Sequence, residues 1–582
     1  MGYSFRGHRD ASQYHPEIGS FGENRVGLFI ECLNFRVKAG DTVLENHLKT
    51  CAKNASYVSK TTQNELINCC GKTILKKLVG DVKKASFFSI LADEACDSSN
   101  QEQMSLVLRF YDETSLEVRE EFMGFVHCSE GLTGKGLSNV ILKKIKELGL
   151  DIMLCRGQGY DGAASMAGEK NGCASHILLV NNKALYTHCF SHRLNLAVSK
   201  SCTIPLVRDM MSHIKSISYF FNASEKRQCH LSENIEKHCP ESSRKKLLDV
   251  CRTRWVARID GMALFEELFV AIVISLEEMS LMKGDTSRDA CSFLKLIHDF
   301  HFIVTLVVAR SVLDRTLPAT QLLQTKNADI IDGMNVICSL KELAKAMLVD
   351  AKDYHIEWYS RALELSEKVN VQESKRRTCV RQVHRTNPQY TTISDYWFKV
   401  LTSEVLAHLS VQLEERFDCS SMISYQGLAV IPSKLISSYY SLNNLKWRES
   451  FLCFVNFYRD DFPKIGVVEG EMDAWERFCL ETSDNIPNTV LTTLKKISNI
   501  SHSFPNVYQA LKILITLPIT SCECERSFSG MKKLKNCYRS TMTKERLEGL
   551  SLMYIHSEIQ PPDVDEVLDE FARQGPRRLE FI

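Results

Sequence analysis

A chain of 582 residues, 44% hydrophobic and 25% charged, has the composition of an ordinary folded protein and is too long for one compact core, so two to four domains are expected. Its 72 Lys and Arg nearly balance 71 Asp and Glu. That excludes a whole-protein field for nucleic acid and leaves any such contact to a local basic patch, with weak, salt-sensitive nonspecific affinity. No apolar N-terminal segment marks it for secretion, and its most hydrophobic run, Phe302 to Val308, is far too short to span a bilayer.

Residues 1–25 are rich in Gly, His, Ser and Arg and read as a flexible tail or the cut end of something longer. Residues 26–84 read as a helical N-terminal region. Its last helix, from Thr61 to Leu78, carries Leu66, Ile67, Cys70, Ile74 and Leu78 on one face. Phe87 to Ala92 then predicts a first strand that stops at three carboxylates, Asp93, Glu94 and Asp97. Acids at the end of a buried strand need a partner, either solvent or a metal ion. Met104–Tyr111 and Glu121–Cys128 predict two more strands, in an antiparallel meander. A basic amphipathic helix, Gly134–Leu148, precedes a fourth strand, Ile152–Cys155, whose chain runs on to Asp161. Gly162–Val180 reads as mostly helical, Ala184–Cys189 as a fifth strand, and Ser191–Ser199 as the start of another helix.

The resulting order is β-β-β-α-β-α-β-α. Right-handed crossovers would set the first and fourth strands side by side with helices on both faces. That is the order of a ribonuclease H-like mixed sheet, and it would bring Asp93 and Asp161 together. From Pro205 to about Asn485 the pattern is nearly all helical, broken at Ser374–Pro388, where Lys375, Arg376, Arg377, Arg381 and Arg385 cluster. That cluster reads equally as a phosphate-contacting segment or as a solvated linker.

Phosphodiester chemistry with two divalent ions about 3.5–4 Å apart needs carboxylates that bridge and flank them. Mg²⁺ accepts such oxygen ligands while keeping water. Asp93 and Asp161 fit two of these places. A third acid is offered late in the chain by Glu525 or its neighbour Glu523, although the helix dipole alone would favour an acid there. Gly157-Gln-Gly-Tyr-Asp-Gly162 matches G-x-G-x-x-G but lacks an acid about 20 residues on, so dinucleotide binding has little support. His188-Cys-Phe-Ser-His192 has no second pair of ligands at zinc spacing, and the 22 cysteines include no pair of C-x-x-C motifs. Scattered through apolar patterns, they read as reduced thiols of an intracellular protein without structural zinc. Near the C-terminus, Phe528, Met531 and Leu534 with Leu547, Leu550 and Met553 form an apolar stripe. Such a stripe is either ordinary core or a subunit interface.

Six ordered motifs together resemble the hAT superfamily of DNA transposases. They are Leu91-Ala-Asp93-Glu-Ala-Cys-Asp97, Tyr160-Asp161-Gly-Ala-Ala-Ser-Met166, Cys189-x-x-His192 with Leu194-Asn195, Thr253-Arg-Trp255, Leu322-Leu-Gln324 and Ser521-x-x-x-Glu525-Arg-x-Phe-Ser529. The resemblance implies an α/β fold with a large helical insertion. A ribonuclease H-like core would begin at 85–204, an all-helical insertion would occupy 205–484, a dimerisation region at 485–556 would complete the core, and 557–582 would be a charged tail. It implies that Asp93, Asp161 and Glu525 form a metal-binding catalytic triad for Mg²⁺ or Mn²⁺. Cys189, His192 and Trp255 would stand near the active site and the DNA end. A second copy of the chain and DNA are the implied partners, in the nucleus, with no organic cofactor, membrane or small-molecule substrate. The sequence departs from the family at Ala95, where many active members have Trp, at Cys96, where Ser or Thr is usual, and in lacking ligands for an N-terminal zinc finger. The expected function is therefore a transposase-derived protein that dimerises and binds DNA, with an active Mg²⁺-dependent transposase or nuclease as the alternative.

Overall fold

The computed structural model describes residues 14–21, 27–52, 55–248, 255–325, 329–376, 389–417, 423–440, 446–481, 485–536, 539, 541–558, 563–575 and 577. Five strands form one mixed sheet: β1 (Phe88–Cys96), β2 (Glu102–Asp112), β3 (Glu117–His127), β4 (Cys155–Tyr160) and β5 (Leu185–His188). Their order across the sheet is β3-β2-β1-β4-β5. β1 to β3 pair antiparallel, while β1 with β4 and β4 with β5 pair parallel.

Alternation along β1 sends its side chains to two different cores. Ile90 and Ala92 join one face, built with the helices Lys60–Lys84, Gly134–Glu147 and Cys173–Val180. Leu91 joins the other, built with Cys524, Phe528, Met531, Leu547 and Leu552 from the helices Cys522–Leu534 and Lys544–Ile555. Helices from late in the chain therefore pack on one face of a sheet laid down near its beginning.

Three local expectations are corrected. β1 does not stop before the acids but runs through Asp93 and Glu94 to Cys96. The fourth strand is not Ile152–Cys155: Ile152–Leu154 is a 3₁₀ turn, and the strand is the glycine-bearing Cys155–Tyr160. Its glycines are there for contact, since a Cβ on Gly157 would lie 2.5 Å from Ser89 Oγ and one on Gly159 would lie 2.7 Å from Leu91 Cδ2. The G-x-G pair thus packs one strand against another. Residues 162–180 form two short helices, Ala164–Ala167 and Cys173–Val180, and between them the backbones of Gly168 and Gly172 come so close that a Cβ on Gly172 would lie 2.4 Å from the Gly168 backbone.

At the sheet edge, the register of β2 and β3 shifts between Leu106 and Val107, and Gly124 takes φ +135°. His556 reaches this bulge and bonds the Phe122 carbonyl through Nε2 at 2.9 Å.

The chain divides into two compact units, one comprising 1–189 with 427–582 and the other Phe190–Gln426. Helices at 427–484, which the sequence pattern places in the insertion, group with the sheet. Arg156 of β4 explains part of this: its Nε and Nη2 donate to Asp461 at 2.8 and 2.6 Å, and its guanidinium lies over the Phe87 ring. Phe190–Gln426 is helical among its described residues, with Phe265, Phe269 and Phe302 in mutual ring contact. Within it, buried His355 bonds Thr402 Oγ1 at 2.8 Å and the Ser394 carbonyl at 3.0 Å, beside a π-helical turn at Phe398–Thr402. Among the described residues, no single helix is long and apolar enough to cross a membrane.

Candidate functional site

The parallel register of β1 and β4 pairs Leu91 with Gly159. Asp93 lies two residues further along β1 and Asp161 just past the end of β4, so the pairing directs both acids to the same end of the sheet. Asp161 has left the ladder: its Oδ1 accepts the Ala163 N–H at 3.1 Å, and its carbonyl accepts the Tyr186 hydroxyl at 2.9 Å. The third acid arrives on the helix Cys522–Leu534, whose first turn carries Glu523 and Glu525. Glu523 is buried and held by Arg526 at 2.6 Å. Glu525 is the one whose charge acts on Asp93.

Burial, then the charges of Glu525 and Asp161, push the Asp93 carboxyl up to about 8. Like charges gathered in a poorly solvated place raise the proton affinity of the most buried member. Glu94 points to the opposite face of β1. It too is raised, to about 7, by burial and by the charges of Asp161 and Glu102, and its Oε1 is buried without a hydrogen-bond partner. The charge of Asp161 therefore acts on two carboxyls that belong to different faces of the sheet.

Asp97, the third acid of the β1 run, is diverted from this group. It accepts the Ser99 and Gln101 N–H groups, Gln103 Nε2 and Lys535 Nζ. Nothing in the sequence near Lys535 announces that pairing.

The donor type, carboxylate oxygen, is the one a hard divalent cation prefers. The side chains are not gathered into a cage: among the described residues no group of three or more His, Cys, Asp or Glu is arranged to hold a metal ion. The electrostatics and this spacing pull in different directions. Convergence is supported by the burial and charges acting on Asp93; a closed ligand shell is not.

The residues expected near DNA fall in several places. Cys189 is buried, at 1% exposure, with its sulfur accepting the Ser521 N–H at 3.3 Å. This corrects the expectation of a DNA contact there, because the sulfur is turned inward. His192 is half-buried in the helix Phe190–Ser201. Trp255 begins the helix Trp255–Glu267. Lys375 is exposed and both bonds and overlies Tyr390, and Arg376 is half-exposed. Arg377, Arg381 and Arg385 lie outside the described residues.

The apolar C-terminal stripe is also corrected. Phe528, Met531 and Leu547 are buried against the chain's own sheet, and Leu534 packs on the same core. Met553 packs on the core of the opposite face, and Leu550 is half-buried. Their side chains fill this chain's interior, which removes Phe528, Met531 and Leu547 from any exposed subunit contact.

Fold and site together define an α/β protein with one carboxylate within β1, another just past the neighbouring strand β4, and a further acid on the helix Cys522–Leu534. Comparison with known proteins narrows this. The family described as "ZMYM1/FAM200, RNase-like domain" matches residues 1–172, and the "hAT family C-terminal dimerisation region" matches residues 476–559. The chain is similar to the "52 kDa repressor of the inhibitor of the protein kinase" of Homo sapiens, 27% identical over 573 residues, covering 96% of this chain and 72% of that protein. The Mus musculus protein of the same name is 26% identical over 581 residues, covering 97% of this chain and 74% of its own length. These matches support a hAT-derived protein, with residues 476–559 matching that group's dimerisation region.

Proposed function

We propose that this chain is a self-associating, DNA-binding protein of the nucleus, built on a ribonuclease H-like frame with a helical insertion. In this reading Asp93, Asp161 and Glu525 form a site for Mg²⁺ or Mn²⁺. The observation that carries it is the convergence of charge on Asp93, from Asp161 just past the neighbouring strand and from Glu525 on a helix more than 350 positions later in the chain. The dimerisation region at 476–559 supports self-association. Net charge near zero leaves DNA contact to local groups such as Lys375 and Arg376.

A bound divalent cation would supply charge neutralisation and a Lewis acid for phosphoryl transfer. The chain's own contribution is to hold three carboxylates at fixed strand and helix positions and to keep Asp93 poorly solvated. The same convergence favours a second reading, an active nuclease or transposase. The departures at Ala95 and Cys96 favour the first.

Incubating the purified chain with supercoiled plasmid and Mn²⁺, beside Asp161→Asn, separates the two. The first reading expects retained plasmid, with gel-shift binding that weakens as salt rises and a dimer by sedimentation. Nicking that disappears in Asp161→Asn would establish the second. A monomer with no DNA shift would remove the first.

A further inference from the structure

We propose that the outer edge of β3 at Phe125 and His127 is a docking groove for an extended peptide. The peptide pairs with the strand and carries apolar and acidic side chains in alternation. Nothing in this depends on the acids of β1 and β4.

β3 lies at one edge of the sheet. Just past its end, the Cys128 N–H donates to the Glu102 carbonyl at 3.1 Å. Bonding in an antiparallel ladder alternates along each strand, so Val126 and Cys128 face β2, while Phe125 and His127 turn their backbone polar groups outward. Such an edge is a template for another strand unless it is covered. The preceding stretch is covered: His556 Nε2 bonds the Phe122 carbonyl at 2.9 Å. Beside Gly124, the Lys144–Glu548 pair at 2.6 Å joins the helix Gly134–Glu147 to the helix Lys544–Ile555. The His127 carbonyl is taken by the Ser129 N–H at 2.9 Å. Among the described residues, that leaves the N–H and C=O of Phe125 and the N–H of His127 for an incoming strand.

Space and charge at this point fit a peptide. Two cavities of about 110 and 190 Å³ open here, and Phe125, His127, Lys544 and Glu548 line both. The larger is walled by Met542 and Leu547 and suits an apolar side chain. Its Lys535 is matched by Asp97 and its Glu548 by Lys144, so its charge comes from exposed Lys544. Lys143 and Glu147 line only the smaller cavity. An added strand sends alternate side chains to the two sides of the sheet. An apolar residue beside Leu547 with an acidic neighbour reaching Lys544 is therefore the pattern this groove reads, and main-chain pairing supplies the common part of the affinity.

The test uses the full chain and a fluorescent octapeptide of alternating valine and glutamate, with its valine–lysine counterpart beside it. Binding is read by anisotropy, and hydrogen exchange is followed at the Phe125 and His127 amides. The glutamate peptide should bind, the lysine peptide should bind at least about tenfold more weakly, and Lys544→Glu should reverse that preference. Saturation should slow exchange at both amides about tenfold or more. Two further peptides, N-methylated on alternate amides, test the pairing without altering the protein. One set should abolish binding, and the other should retain it within about threefold. No binding of the glutamate peptide up to about 1 mM would overturn the groove as a peptide site. Equal losses from both methylated sets, or unchanged exchange at Phe125 and His127, would overturn the strand pairing. Equal affinity for the two charge patterns would overturn the role of Lys544. Displacement of the peptide by a DNA oligonucleotide would assign the groove to nucleic acid instead.

Discussion

Lys535 Nζ lies 2.6 Å from Asp97 Oδ2, with 7% and 0% of the two side chains exposed. The pair pins the turn after β1 to the residue that follows the helix Cys522–Leu534. It therefore fixes the far end of the helix that begins at Ser521. Burial acts against the Asp97 charge, but Lys535, the Ser99 and Gln101 amides and Gln103 outweigh it, and the carboxyl sits below its usual range.

Removing one member of such a pair leaves the other buried and uncompensated, at a typical cost of about 3–5 kcal/mol. Lys535→Met should lower the free energy of unfolding by roughly the lower figure, since three other donors still serve Asp97. Urea denaturation with an unchanged midpoint would show that the pair contributes nothing. The depressed folded-state carboxyl also means that the stability from Asp97 is present above its unfolded value, about 3.9, and is lost as pH falls through its lower folded value.

Phe528 is buried and stacks on Phe125 with ring centroids 5.7 Å apart. Phe528→Ala should cost about 3–5 kcal/mol, the usual range for a deleted core aromatic. Because the side chain faces its own sheet, the variant's sedimenting mass should remain that of the parent wherever it is still folded. A folded monomer would instead place Phe528 at a subunit interface.

Gly159 bears on the spacing of β1 and β4 rather than on a nucleotide. A Cβ there would meet Leu91 Cδ2 at 2.7 Å and Pro518 Cβ at 3.0 Å. Gly159→Ala should destabilise the chain by about 1–3 kcal/mol through overpacking. Wild-type thermal stability in this variant would mean that the strands part freely at this point.

The sequence made several of these relationships legible, for physical reasons. Period-two runs in Met104–Tyr111 and the order of elements were enough to set the first strand beside the fourth, which is what brings Asp93 and Asp161 together. The apolar run ends at Ala92, so the pattern gives no sign that β1 continues through Asp93 and Glu94 and sends them to different faces. The fourth strand is hard to place from sequence because Cys155-Arg-Gly-Gln-Gly-Tyr160 has little apolar side chain to count; its glycines reflect contacts with Ser89, Leu91 and Pro518. Neither the Asp97–Lys535 pair nor the Cys189–Ser521 bond leaves a periodic trace. Each joins residues more than 300 positions apart through one atom.

Asp93 gives the prediction with the clearest sign. A carboxyl raised to about 8 in the folded chain binds its proton more tightly there than in the unfolded chain, where about 3.9 is usual. Its contribution is fully present below that unfolded value and is lost as pH rises through about 8, and Glu94, raised to about 7, acts in the same direction. In the absence of divalent cations, the urea midpoint should therefore fall between pH 5 and pH 8.5, and Asp93→Asn should flatten part of that fall. A cation at the carboxylates competes with the proton, so Mn²⁺ should raise the midpoint more at pH 8 than at pH 5. A profile flat across this range, or one whose slope is untouched in Asp93→Asn combined with Glu94→Gln, would mean that these acids are solvated. A stabilisation by Mn²⁺ that is equal at both pH values would place the ion away from them.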